Sequence, residues 1–287
     1  MADINSDFAQ RVVVHSAQIP WIASPIVGVD RRMLDRIGDE VARATSVVRY
    51  APKSRFSAHI HGGGEEFLVL DGVFQDEHGD FPVGSYIRNP PTSSHTPGSE
   101  TGCKIFVKLW QFDPADRKHV RIDTSKLTFT RLSERKGVET MGLFADNSEN
   151  VRLERWAPGA SVELDLKGGG EFFVLEGGFN EGGDQLERES WLRIPADGYL
   201  RATAGGDGCK VWVKTGHLPP RFTAPVRSAH WGKDAGGVLI GNKPTPGRAM
   251  PLFATSRFSM PAGPSVTGRR PSAFLDVLDQ GIDKRCL

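Results

Sequence analysis

Apolar residues fall in short runs up to about Leu218, with Gly, Pro, Asp and Asn between them. Phe67-Leu68-Val69-Leu70 is a continuous run of strand length, and Cys103 to Trp110 mixes apolar and alternating positions. Val, Ile, Phe and Trp in such runs, bounded by turn residues, read as β-strands. Many short strands separated by turns predict an all-β chain, a sandwich or a jelly-roll barrel. Helical spacing is weak: Arg31 to Arg43 offers one short pattern and Ser272 to Ile282 another.

The strand pattern occurs twice. Arg49-Tyr50-Ala51-Pro52 returns as Arg155-Trp156-Ala157-Pro158, and GGGEEFLVLDGVF from Gly62 returns as GGGEFFVLEGGF from Gly168. SYIRNPP from Ser85 answers SWLRIPA from Ser190, and GCKIFVK from Gly102 answers GCKVWVK from Gly208. Four blocks in one order, displaced by about 105 residues, mark a duplicated domain. The boundaries expected are 1–125 for the first copy, 126–218 for the second and 219–287 for a tail. That tail holds nine of the 19 prolines and ten Lys and Arg against four Asp, with no third copy of the repeat. Such sequence lacks the apolar face that offsets ordering entropy, so an irregular, dispensable segment is expected there.

Composition narrows the function classes. With 287 residues and 38% hydrophobic content the chain can bury a core in each copy. A net charge of +1 gives no global field for nucleic acid or membrane lipid, so neither is an expected partner. No apolar run is long enough to span a bilayer and the start resembles no leader, which predicts a cytoplasmic protein. The three cysteines, Cys103, Cys209 and Cys286, form no CxxC or disulfide spacing. Cys103 and Cys209 occupy matching repeat positions and are expected to pack as small hydrophobes.

The chemistry concentrates in the first copy. His59 and His61 are two apart, which on a strand puts both imidazoles on one face. Gly62-Gly63-Gly64 permits a sharp reversal that brings Glu65 back toward them. His95 follows a Gly and Pro-rich turn. Three imidazoles and a carboxylate suit a divalent transition metal (iron, zinc, manganese, nickel or copper) better than magnesium or calcium. Glu66 competes with Glu65. Spacing from Gly72 favours Glu65, while the second copy keeps a single acid, Glu171, and does not settle the choice.

HIHGGGEEFLVLDG and GSYIRNPPTSSH resemble the two motifs of the cupin superfamily, with Thr92 where the second motif has glycine. The stretch from about residue 15 to 115 is most similar to the cupin domain of the ChrR anti-sigma factor group. The resemblance implies two tandem cupin barrels (double-stranded β-helix, jelly-roll) and one metal held by His59, His61, Glu65 and His95. In the second copy, alignment through Ala157-Pro158 sets Asp165, Lys167 and Leu200 opposite the three histidines, which predicts a barrel without metal.

Two functions follow as expectations. One is a mononuclear metal-dependent enzyme of dioxygenase or oxidoreductase type acting on a small molecule, with Glu65 and Tyr86 as catalytic candidates. The other is a ChrR-like stress sensor, an anti-sigma-associated regulator acting through a partner protein, although no HxxxCxxC motif of a zinc-binding output domain is present. A homodimer is compatible with either. Arg88 and Trp110 are further candidates for the pocket wall, and Asp76, Glu77, His78 and Asp80 read as a solvated turn.

Overall fold

A computed structural model describes residues 3–39 and 41–218. The tail from 219 and the helix expected at Ser272 to Ile282 lie outside the described residues. Two antiparallel sheets dominate. The first runs in the order Val120–Asp123, Ser85–Asn89, Glu65–Asp76, Cys103–Leu109, Arg43–Tyr50, Val29–Ile37, Ile22–Ala23. The second runs Val12–His15, Ser190–Ile194, Gly170–Glu181, Gly198–Thr215, Asn150–Trp156, Val138–Ala145, Thr130–Arg131. A small third sheet pairs His59–Ile60 with Ser94–His95. The helical turns among the described residues are two 3-10 segments, Ser16–Gln18 and Thr124–Lys126.

The helical pattern expected at Arg31 to Arg43 is instead the strand Val29–Ile37 and its turn into Arg43–Tyr50. A bulge shifts the register between Met33 and Asp35. It places the adjacent Leu34 and Asp35 both in buried positions, and this break in the two-residue alternation mimics helical spacing.

One strand crosses between the copies. Val12–His15 of the first copy pairs with Ser190–Ile194 of the second, while Val120–Asp123, at the end of the first copy, stays with Ser85–Asn89. Strands at this junction are buried on both faces, which is why Phe67 to Leu70 is continuously apolar. Phe67 and Val69 face the interior of the first barrel with Val48, Ile105 and Val107. Leu68, Val47 and Phe106 point the other way, into an apolar layer shared with Leu153, Phe173, Trp191 and Trp212 of the second copy. Phe106 and Phe173 stack there with centroids 4.3 Å apart.

Two buried ion pairs cross this layer reciprocally. Lys214 donates to Glu66 at 2.6 Å, and Lys108 donates to Glu171 at 2.5 Å. Tyr86 Oη donates to Glu66 and Trp191 Nε1 to Glu171, at 2.6 and 3.0 Å. A buried charge left unpaired costs several kcal/mol, so any slip between the copies is penalised. Cys103 and Cys209 are buried free thiols, each pushed up to about 12 by burial.

Candidate metal centre

The two-stranded sheet places His59 directly opposite His95. His61 is fixed by the loop between Pro90 and Ser94: its N–H donates to the Ser93 carbonyl and its carbonyl accepts from Thr92, both at 2.9 Å. Thr92 adopts φ 74°, a left-handed conformation that explains the glycine usual in this motif. The glycine run serves close packing. A Cβ on Gly63 would lie 2.3 Å from the Trp110 ring, and one on Gly64, itself at φ 79°, would lie 2.4 Å from Phe112. The rings thus hold the loop against the barrel rim as the chain enters Glu65–Asp76.

On that strand Glu65 and Glu66 point to opposite faces, as the two-residue period requires. Glu65 turns inward. Its Oε2 is 3.5 Å from His61 Nε2 and 3.7 Å from His95 Nε2, and it accepts from Asn89 Nδ2 at 3.2 Å. The three imidazole rings have centroids 4.7, 4.8 and 4.9 Å apart, and their ligating nitrogens lie within 4.8 Å of one another. Glu66 is spent on Tyr86 and Lys214 in the layer between the copies.

The donor set fits a metal. His61 Nε2 and His95 Nε2 are buried with no hydrogen-bond partner among the described residues, an arrangement that costs free energy unless something accepts their lone pairs. Bonds of about 2.1 Å around a tetrahedral ion would set donors roughly 3.4 Å apart, close to the separations seen at Glu65. Burial lowers His61 to about 4, so its imidazole is neutral and available. Burial disfavours ionisation of Glu65, but the facing imidazoles and Asn89 outweigh it and hold the carboxyl below its ordinary value. Burial also opposes charge on His95, yet Asp76 and Glu65 raise it. Asp76 Oδ2 accepts from His95 Nδ1 at 3.2 Å, which leaves Nε2 facing the other imidazoles and free for a metal.

Asp76 was expected to be a solvated turn residue; it is a buried hydrogen-bond partner of a candidate ligand, brought there because its strand runs past His95. Its place at the end of a twelve-residue strand was the available signal. Other expectations are redirected. Tyr86 does not reach the histidines: it is wholly buried on the opposite face, and burial with the adjacent Glu66 raises its phenol well above the ordinary value. A catalytic role for Tyr86 at this cluster is therefore withdrawn. Arg88 also faces the other copy, paired with Asp116 and Glu149 at 2.5 and 2.6 Å between the rings of Phe112 and Phe144. Trp110 packs on the glycine loop instead of lining the cavity.

The cavity beside the cluster measures about 70 Å³ and is walled by Val29, Val48, Phe56, Ile105 and Val107, with His59, His61 and Glu65 at one side. In the second barrel, Leu200 pairs with Leu164 as His95 pairs with His59. Leu164 and Leu166 therefore replace His59 and His61, one residue earlier than the Asp165 and Lys167 of the sequence alignment. Leu166 lies against Gly170, the counterpart of Glu65, with methyl carbons 3.0 and 3.2 Å from where a Cβ would be. Apolar side chains fill the place of the site.

Residues 9–113 match the family model of the ChrR cupin-like domain. This segment is a cupin domain, and the described chain has the cupin fold. No curated protein matches this cupin. Its fold is similar to that of a candidate dioxygenase from Nostoc punctiforme, with TM-score 0.61 and 16% identity over 73% of this chain and 84% of that one. Oxalate decarboxylase from Lactobacillus farciminis, in a formate complex, aligns at TM-score 0.52 and 9% identity over 79% and 92%. The pirin YhhW from Escherichia coli, in complex with nickel(II), aligns at TM-score 0.50 and 13% identity over 72% and 98%. No helix among the described residues is long and apolar enough to cross a membrane.

Proposed function

We propose that this cupin is a mononuclear metal-dependent enzyme of dioxygenase or oxidoreductase type acting on a small molecule. The observation that carries the reading is the pair of orphaned, buried Nε2 atoms of His61 and His95 aimed at the Glu65 carboxylate beside an apolar cavity. His59, His61, Glu65 and His95 would hold one divalent transition ion. Bound there, the ion would supply Lewis-acid or redox chemistry. The chain's own residues do the rest. Val48, Ile105 and Val107 exclude water from the reacting molecule, Asp76 orients His95, and Asn89 orients Glu65. The ionised Glu65 balances charge and can take up a proton from a substrate seated against it. Buried reduced thiols at Cys103 and Cys209 suit a cytoplasmic setting.

The match of residues 9–113 to the ChrR cupin-like domain favours a second reading, in which the same site senses a ligand or oxidant and signals through a regulatory protein. Metal analysis of the purified chain combined with oxygen uptake on small-molecule panels separates the two. One metal per chain, lost in His59→Ala and His95→Ala, with substrate-dependent oxygen uptake supports the enzyme. A stoichiometric metal without turnover, together with a co-purifying regulator, supports the sensor. Two metals per chain, or full retention in both variants, refutes the site.

A further inference from the structure

The wall of the cavity carries two arginines. On Val29–Ile37, Arg31 shares the inward face with Val29 and lies opposite Val48, and Arg36 follows beyond the bulge opposite Ala44. Arg31 is 9% exposed and makes no side-chain hydrogen bond or ion pair with any described residue; its Nε is buried and unpartnered. Arg36 is 4% exposed, donates to the Asp39 carbonyl, and also leaves Nε unpartnered. The fully buried arginines elsewhere also leave Nε unpartnered, but each is ion-paired: Arg43 and Arg193 with Asp35, and Arg88 with Asp116 and Glu149.

A guanidinium carries five donors and cannot shed its charge, so burying it without an acceptor is unfavourable. The carboxylate lining this cavity is Glu65, already engaged by Asn89 and the imidazoles. Asp39 offsets the charge of Arg36, whereas Arg31 has no acidic partner among the described residues, and a divalent ion on the histidines would add to that unbalanced charge. Among the described residues Arg31 has no acceptor, and a bound anion would supply one. A planar guanidinium matches a carboxylate in bidentate geometry. The hydrocarbon walls suit an organic body, and about 70 Å³ admits roughly five water-sized groups.

We propose that Arg31, assisted by Arg36, is the recognition site for the carboxylate of a small organic acid of about two or three carbons, whose remainder lies against Val48, Ile105 and Val107 beside the histidine cluster. The inference deepens the enzyme reading and rests on it. It makes Arg31 a specificity residue: neutral analogues of the same shape leave the guanidinium unpaired and are rejected.

The test uses the full chain loaded with Co(II), whose visible spectrum reports on the histidine cluster, and calorimetry on the same samples. Acetate, propionate, glyoxylate and pyruvate are titrated against acetamide, acetone and inorganic phosphate. Carboxylates are expected to bind and perturb the spectrum, with the neutral analogues at least about tenfold weaker. Arg31→Leu should lose at least about tenfold in carboxylate affinity, keep one Co(II) per chain, and melt no lower than the parent, since an unpaired buried charge has been removed. Arg31→Gln, which keeps polarity without charge, should behave alike in affinity and serves where the leucine variant does not fold. Parental carboxylate affinity in either folded variant overturns the proposal. So does equal binding of acetamide, or phosphate binding tighter than every carboxylate. Failure of the parent chain to hold Co(II) at these residues refutes the enzyme reading instead; calorimetry of acetate on metal-free parent and Arg31→Gln then decides the arginine site separately.

Discussion

Isosteric replacement of the two neighbouring acids, Glu65→Gln and Glu66→Gln, should have opposite consequences. Glu66 is 1% exposed and lies 2.6 Å from both Tyr86 Oη and Lys214 Nζ. Removing one member of a buried ion pair costs about 3–5 kcal/mol. Two features reduce that here: glutamine retains an acceptor for Tyr86, and Lys214 keeps Glu149 at 2.8 Å. About 2–3 kcal/mol remains, which for a chain of this size lowers the melting temperature by about 5–10 °C. Glu65 faces imidazoles and an amide and makes no ion pair with a lysine or arginine, so the metal-free protein should change by about 1 kcal/mol. Its metal affinity, however, should fall at least as far as the roughly 10- to 100-fold typical of losing a ligand's supporting hydrogen bond. Scanning fluorimetry of metal-free protein and elemental analysis after dialysis against a weak chelator read the two effects independently. Metal loss in Glu66→Gln with an unchanged melt, or full retention in Glu65→Gln, would refute the assignment of faces on this strand.

Asp76→Asn should lower the pKa of His95, which Asp76 raises, and weaken metal binding about 10- to 100-fold at neutral pH, measured by chelator competition. In metal-free protein His61 is held down to about 4 against an ordinary 6.5. The stability from its neutrality is complete above pH 6.5 and is lost as pH falls toward 4, a term of about 3 kcal/mol. His95, raised, contributes in the opposite sense and in a separate window, its stabilisation being lost as pH rises above 6.5; His61→Leu should flatten the melting temperature between about pH 4 and 6.5, and an unchanged slope there would count against a buried neutral His61. Thr92→Gly, relieving φ 74°, should stabilise the protein by about 1 kcal/mol in urea unfolding, and a loss of stability would show that the threonine side chain has a role of its own. A chain ending at Leu218, where Leu218 N–H closes onto the Gly168 carbonyl at 2.8 Å, should fold cooperatively and bind one metal; aggregation would show that the tail is needed.

The duplication, the all-β class and the residue types at His59, His61, Glu65 and His95 were legible in the chain because each is a local matter: apolar period, turn chemistry, spacing along one strand. The choice between Glu65 and Glu66 also had a local clue, since counting back from Gly177 as from Gly72 aligns Glu171 with Glu66. The retained acid is thus the one that crosses between the copies, and the acid lost to Gly170 is the one that faces the histidines. What the chain could not show depends on partners distant in sequence. The crossing of Val12–His15 to the second copy, and the turning of Tyr86 away from the cluster, follow from two apolar faces burying each other. Asp76 reaches His95, and Leu164 and Leu166 close the second barrel, through strand register, which one bulge or one loop residue alters without a mark in composition. Arg31 looks like any strand arginine until the fold buries it in a chamber whose single carboxylate is already taken; charge compensation is a property of neighbours in space, and only tertiary structure supplies or withholds them.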